Sequence, residues 1–588
     1  MTRFEVSIQR LISSFRSRLR QMEKGLTFVE LLGIIVGVFG GLGAVAFRLL
    51  IGVNQALFFS DLLPHITFYG GSVNLGIMLL PAIGGLIVGP LVTLLAPEAR
   101  GHGVPEVMEA YTLRGGKIRS RVAIVKVFAS SITLGSGGSA GREGPIAQIG
   151  ATVGSAFGRL LKLEVDEVRL LVVCGLSSGI AGTFNAPLGG ALFGMEVLQG
   201  RFSWKGTVPI ILASVVGAAV ANTIFGLSPT ITAPTFQFLS ATELILYFIL
   251  GIVFGFLSYG WVRVFYFIED FFAGMKLSWK YKAAIGGLLT GAIGMFFPLY
   301  GILGVGYNGV DLELAGGFTI TLLLVLGLAK ILATSLTVGS GGSGGIFSPS
   351  LYIGSMFGGA IGLVFLNLFP KVATQPFAYS LAGMGAMFAG AASAPITSMI
   401  MIPEMTNNWS LLPPLMISCI TSFYISSYLL KGSSIYTLKL ERRGVDIKNL
   451  AIPDDLANVK VEEVMQAKVV TVTENTTVSE FMKYPLQYGH TTFPVVTDSK
   501  LVGMVNFAQA LKIPQDKRDS TTVKDIMSQT PVVVFAGESV RDALKKMQKN
   551  VITKIPVVDK NNLQTLLGIL TERDVVNAHE LGLKRSSE

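Results

Sequence analysis

Ionisable side chains are scarce in the long apolar stretches of this 588-residue chain, and the few found there are the candidates for chemistry. Glu143 stands in Gly141-Arg-Glu-Gly-Pro145, His102 in Gly101-His-Gly-Val-Pro-Glu106, and Glu196 in Phe193-Gly-Met-Glu-Val197. Lys126 and Lys330 interrupt apolar runs and Glu404 ends another. A carboxylate at membrane depth costs roughly 3 kcal/mol or more on insertion scales, so it faces a pathway or a partner rather than lipid. Read alone, Glu143 could do no more than cap a helix. Beside an amide-rich turn it can also occupy an anion site itself, imitating the ion it would compete with. For the two lysines we favour structural pairing with a nearby carboxylate or with carbonyls, and Glu196 is read as structural.

The elements that must position these groups are written twice. Gly135-Ser-Gly-Gly-Ser-Ala-Gly-Arg-Glu-Gly-Pro145 recurs as Gly339-Ser-Gly-Gly-Ser-Gly-Gly-Ile-Phe-Ser-Pro349, with seven of eleven positions identical across an offset of 204. Each copy leads into an apolar helical pattern, and a helix reached through such a loop presents unpaired N–H groups and a positive dipole end. The guest this suits is an anion. Two related halves, each giving a broken helix to a shared midplane site, are the pattern of repeat-built transporters.

Apolar residues make up 51% of the chain and charged residues 14%, well under the roughly 25% charge of soluble domains, so the protein is integral to a membrane. Stretches long enough to cross or nearly cross include Leu26–Ile51, Leu75–Leu95, Thr207–Phe225, Leu244–Tyr259, Ala284–Leu299, Ile346–Leu368, Phe377–Ile402 and Leu411–Leu430. The net charge of +10 gathers at segment ends without interleaved aromatics, which argues against nucleic acid. Basic residues from Arg3 to Lys24 place the N-terminus in the cytoplasm, and no cleaved signal peptide is expected. Cys174 and Cys419 give neither a disulfide framework nor metal spacing. The four histidines form no HExxH, which excludes an intramembrane zinc protease, and acidic residues are too sparse for a divalent-cation transporter.

Composition changes after Leu430. A charged linker, 441–458, leads to a second internal repeat: Val461-Glu-Glu-Val-Met465 recurs as Val523-Lys-Asp-Ile-Met527, and Phe493-Pro-Val-Val496 as Ile555-Pro-Val-Val558, both offset by 62. Each copy reads as α/β, with a helix over Val478–Tyr484 stopped by Pro485 in the first. This half resembles a tandem pair of CBS domains, over 459–513 and 521–580. The resemblance implies adenine nucleotide (ATP, ADP or AMP) in the cleft, with Thr571 and Asp574 of Gly568-Ile-Leu-Thr-Glu-Arg-Asp574 as contacts. The first copy departs from the pattern at Asn506 and Gln509, so at most one formed site is expected. A packing and dimerisation module without ligand remains the other reading.

Over Leu26–Leu440, Gly101-His-Gly-Val-Pro-Glu106, Gly141-Arg-Glu-Gly-Pro145 and Gly345-Ile-Phe-Ser-Pro349 resemble, in order, the three signature loops of the CLC family of voltage-gated chloride channels and transporters. Phe184-Asn-Ala-Pro-Leu188 and Ser434-Ile-Tyr-Thr-Leu-Lys439 support the likeness. It implies a polytopic all-α membrane protein with an inverted repeat (about 26–225 and 241–440) after a basic segment 1–25. It also implies a homodimer in which each subunit carries its own pore, no enzymatic activity, and both termini cytoplasmic at the cell membrane. Carried over by position, Glu143 is the gate. The backbone at Gly103, Gly144, Ile346 and Phe347, with His102, Arg142 and the hydroxyl of Tyr436, lines the anion path; an interfacial belt residue is the lesser reading of Tyr436.

Two departures bear on function. His102 stands where many members have serine, and its ring either donates one N–H to the anion or turns away. Val197 stands where proton-coupled members carry a second, inner glutamate directly after the position of Glu196. An apolar side chain relays no proton, so the sequence favours a passive chloride channel. The alternative is a chloride/proton antiporter of the same family, and a more remote one a transport-inactive nucleotide sensor.

Overall fold

In the computed structural model the described residues run from 28 to 445 and from 456 to 578, apart from 72, 201–203, 239, 374, 457–458, 499, 551, 561, 572–573 and 576–577. The basic segment 1–25 and most of the linker lie outside them. The chain divides into two units between Ile447 and Lys448, each with its own core.

The first unit is helical and built twice. Its first half contains α1 (Phe28–Gln55), α2 (Gly76–Leu95), α3 (Val104–Leu113), α4 (Ser120–Gly135), α5 (Glu143–Leu160), α6 (Val165–Phe184), α7 (Pro187–Phe193) and α8 (Trp204–Phe225). The second repeats the order with α9 (Glu243–Gly274), α10 (Trp279–Gly294), α11 (Tyr307–Leu314), α12 (Ile320–Gly339), α13 (Phe347–Leu368), α14 (Pro376–Ala392), α15 (Pro395–Thr406) and α16 (Leu412–Leu429). A short α17 (Thr437–Glu441) follows. Among the described residues, eight helical stretches are long and apolar enough to cross a membrane.

Glycine sets the crossings inside each half. A side chain on Gly150 of α5 would run into the carbonyl of Gly175 of α6, and one on Gly175 into that of Gly150. In the second half Gly354 of α13 and Gly383 of α14 exclude each other's side chains in the same way. Packing through small residues is how helices associate where lipid supplies no hydrophobic drive. The halves meet partly through α2 and α10, where Gly85 lies against the backbone of Ala283 and Gly287 against that of Pro81.

Phe377–Ile402, read from sequence as one stretch, is two helices. α14 ends where Ser393 takes φ 55°, a left-handed conformation that closes a helix, and Pro395 opens α15 at a position needing no N–H.

The second unit contains two three-stranded sheets of like topology. In the first, β1 (Val472–Thr473) pairs parallel with β2 (Thr492–Thr497), which pairs antiparallel with β3 (Lys500–Asn506). In the other, β4 (Val534–Phe535), β5 (Lys554–Val558) and β6 (Leu566–Thr571) repeat the arrangement. The copies are knit reciprocally: Gln466 and Ile569 exchange two backbone hydrogen bonds of 3.0 Å, and Met504 and Ser528 exchange two more of 3.1 and 2.8 Å. Val461, at the start of the first copy, is buried in the core of the second, and Val523, at the start of the second, in that of the first. Pro485 does not stop the helix that begins at Val478, which ends at Phe481; it is the second residue of a new helix, Tyr484–Tyr488, where its missing N–H costs nothing.

Candidate functional site

Three helix N-termini converge on the two glycine loops. α5 starts at Glu143 and α13 at Phe347, and α3 starts after Gly103, whose φ of 82° turns the chain into the helix. Gly141 and Gly345 exchange backbone hydrogen bonds of 2.7 and 2.6 Å, so the loops are joined directly. Hydroxyls pin them from below in matched fashion. Ser139 of the first loop meets Thr334 of α12 at 3.0 Å, and Ser343 of the second meets Ser130 of α4 at 2.8 Å. Any side chain at Gly345 or Gly141 would collide with the carboxylate of Glu143, and one at Gly144 with the carbonyl of His102.

Glu143 is buried, and its carboxylate crosses from α5 to the start of α13. Oε1 accepts from the amide of Phe347 at 2.5 Å and Oε2 from the hydroxyl of Ser348 at 3.0 Å. The negative charge therefore sits on the positive end of a helix that belongs to the opposite half. Ser348 in turn lies 2.8 Å from the hydroxyl of Tyr307. Tyr307 lines a cavity of about 690 Å³ together with Arg48, Arg142, Thr183, Asn185 and Asp311. Arg142 donates to the carbonyl of Thr183 at 3.1 Å, and its guanidinium stands over the rings of Phe184 and Tyr307.

On another side of this centre lie His102 and Tyr436, each 1% exposed, with ring centroids 5.8 Å apart. Neither ring nitrogen of His102 nor the hydroxyl of Tyr436 has a hydrogen-bond partner. Buried polar atoms left so are rare, and these suit a guest that accepts hydrogen bonds. Tyr436 is held in place through Ile435, whose carbonyl accepts from Tyr266 at 2.6 Å and whose amide donates to Ala391 at 2.8 Å. Ile346 is buried beside Phe347, with its carbonyl engaged by Ser350 at 2.7 Å.

The membrane-depth lysines hold loops. Lys126 donates to the carbonyls of Ala99 and Gly101 at 3.0 and 2.7 Å, fixing the segment that carries His102. Lys330, 204 residues on, donates to Gly301, Ile302 and Gly304 at 2.9 to 3.1 Å and fixes the segment leading to Tyr307. Glu196 and Glu404 form a second matched pair. Glu196, in the turn after α7, accepts from the amides of Ile396 and Thr397 and from the Thr397 hydroxyl at 2.6 to 3.0 Å, capping α15. Glu404, in α15, accepts from the amides of Leu188 and Gly189 at 3.0 and 2.6 Å, capping α7. Each helix start is closed by a carboxylate of the other half. Val197, directly after Glu196, is packed in the apolar core.

Sequence reading passed over Ser348 and Tyr307, whose hydroxyls complete the Glu143 network. Ser348 lies inside the quoted loop, which was read for its amides alone. The reciprocal caps also left a signal, since Ala186-Pro187 and Glu196 recur as Ala394-Pro395 and Glu404 at one common offset of 208.

In the second unit Thr571 and Asp574 are together, but bound to each other. Asp574 accepts from the amide and hydroxyl of Thr571 at 2.8 and 2.7 Å and from Gln466 at 3.1 Å. The first copy has the same device in amide form, with Asn506 and Gln509 closing a capping box.

A two-halved helical membrane domain with helix N-termini and unpartnered donors around a buried carboxylate defines an anion-transport architecture. The chain belongs to the voltage-gated chloride channel family, whose sequence model matches residues 84–427, and it carries two CBS domains, matched at 461–515 and 523–580. It is 32% identical to a protein of Ralstonia nicotianae provisionally called a ClcB-like chloride channel, over 63% of this chain and 87% of that one. It is 31% identical to the H(+)/Cl(-) exchange transporter ClcA of Yersinia pestis, over 71% of this chain and 88% of the relative. Among solved structures, a slow cyanobacterial Cl-/H+ antiporter superposes with a TM-score of 0.64 at 27% identity, covering 71% of this chain and 99% of the other.

Proposed function

We propose that this protein is a chloride/proton antiporter, acting as a homodimer with one pathway per subunit and with both termini on the cytoplasmic side of the cell membrane. The observation that carries the reading is the seat of Glu143. Its carboxylate takes hydrogen bonds that a chloride ion could take, from Phe347 N–H and the Ser348 hydroxyl. A proton added to that carboxylate removes the charge that holds it there, and the released side chain leaves the helix end to chloride. Protonation and anion entry then belong to one event, which is what an exchanger needs. Gly103, Gly144, Ile346 and Phe347 supply backbone to the path, His102 and Tyr436 supply donors, and Arg142 sets the field at the entrance. Partial charges of this kind bind a weakly hydrated anion without trapping it. The relatives named as proton/chloride exchangers support this choice over a channel. Transport requires no covalent step, so no enzymatic activity is assigned.

A passive chloride channel is the second reading. It is favoured by Val197, which is apolar and buried, and by Glu196, whose carboxylate is committed to the cap of α15. Reconstitution in liposomes under a chloride gradient, with and without an opposing pH gradient, separates the two. A zero-current potential that moves with pH, with proton uptake against its gradient, is expected. A potential set by chloride alone would establish the channel.

A further inference from the structure

An exchanger must bring protons to Glu143 from both sides, and the cavity beside Tyr307 serves only one. Neither Val197 nor Glu196 carries a proton to Glu143 from the side of α17: Val197 has none to give, and Glu196, read as structural, is held by three donors. The groups that remain there are His102 and Tyr436. His102 is 1% exposed, both of its nitrogens lack partners, and it lies in the segment that Lys126 clamps. The ring is steadied without hydrogen bonds, edge-on to Phe265 of α9 at 5.8 Å and tilted to Tyr436 at 5.8 Å. An imidazole buried with both nitrogens free can take a proton on one atom and release another from the opposite atom. Burial, and then the cations around it, hold the His102 pKa well below the ordinary imidazole value, so the charged ring is passed through rather than held.

Resting on the antiporter reading, we propose that His102 is the inner proton relay of this protein, standing in for the carboxylate that Val197 replaces. One imidazole nitrogen accepts a proton arriving from the α17 side. Because neither its nitrogens nor the Tyr436 hydroxyl has a direct partner, the other nitrogen gives its proton to a water beside Tyr436, and that water passes one of its own to Glu143. The carboxylate becomes a neutral acid, and the imidazole is left in its other tautomer until the ring turns. Three cations act on His102, Lys439 of α17, Lys126 of α4 and Arg443 beyond α17, with Arg443 itself paired to Glu106 of α3 at 2.7 Å; α9, packed on the ring through Phe265, adds an apolar face. Chloride bound beside the ring offsets those three cations, so proton loading follows anion occupancy.

The test is the ratio of protons to chloride moved by the full-length protein in liposomes. Wild type is expected to couple the two, and His102→Gln to lower the ratio by about tenfold or more. Adding Val197→Glu to that variant is expected to restore coupling, which a merely structural role for His102 would not produce. An equal ratio in wild type and His102→Gln overturns the relay and leaves the antiporter standing. No proton movement in wild type overturns both. If His102→Gln carries too little chloride to score, His102→Ser, which keeps a hydroxyl donor but has no titratable nitrogen, is judged by the same ratio.

Discussion

Glu143 stands at the junction of the two halves, and its removal should be visible as a change in coupling. Glu143→Ala leaves no group to carry a proton between the sides, so chloride flux in liposomes should lose its pH dependence and proton transport should fall to background. Pumping that survives the substitution would remove this residue from the proton path. Glu196 and Glu404 predict a different outcome. Each satisfies the first amides of a helix across the repeat, and truncation to alanine leaves those donors unpaired at a cost of about 1–3 kcal/mol per site. The melting temperature in detergent should drop for either variant while the proton-to-chloride ratio of the remaining protein stays at the wild-type value. At this scale the sequence was informative wherever a motif is local. Gly141–Pro145, Gly101–Glu106 and Gly345–Pro349 located Glu143, His102 and Phe347. Partners more than 200 residues away were not read from it, so Ser348 was taken only for its backbone and Glu196 without its helix, although the 208-residue offset between the two carboxylates matched that between the two proline-led helix starts.

The elements hold together because backbone meets backbone. α5 and α6 approach at Gly150 and Gly175 so closely that a methyl on either would overlap the other's carbonyl, and α13 and α14 do the same at Gly354 and Gly383. Because α5 and α13 begin at the site, prying either pair apart displaces Glu143 or Phe347. Gly175→Val and Gly383→Val should each destabilise by about 1–3 kcal/mol or more. Size-exclusion profiles should show aggregation at lower temperature than wild type, and a wild-type profile from both would show that these crossings have slack. Helix α6, Val165–Phe184, is absent from the stretches named as spans from sequence. Its mean hydropathy is 1.3 and 83% of its most apolar window is buried in protein, so it does not need the lipid-like composition by which spans are recognised. The break at Ser393–Pro395 was missed because apolar residues run on through it, although a left-handed residue followed by proline makes it just as Asn185 and Pro187 make the break between α6 and α7.

At the scale of the molecule, two units with separate cores imply two separable losses of structure. Asp574 is buried in the second unit and accepts from the amide and hydroxyl of Thr571 and from Gln466, so Asp574→Ala should lower the melting of that unit by several degrees and leave the other transition in place. Calorimetry with ATP on the same two proteins tests the expected nucleotide site. Binding by wild type and none by the variant supports Asp574 as a contact, whereas equal binding assigns it to the cap alone. The 62-residue repeat made the CBS pair legible, but not that each copy lends its opening valine to the other's core, because an exchanged helix start leaves the pattern of each copy unchanged.

The reciprocal caps also set a schedule for biosynthesis. The amide of Leu188 waits for a carboxylate 216 residues downstream, and at about 5–20 residues per second the ribosome needs about 10–40 s to deliver Glu404. During that interval the start of α7 is open inside the bilayer, and the first half cannot reach its final form however well its helices are inserted. The nascent chain is therefore most exposed to quality-control proteases in the window between completion of the first half and emergence of α15. Ribosomes stalled before and after Glu404 should yield membrane-bound chains that differ sharply in protease resistance.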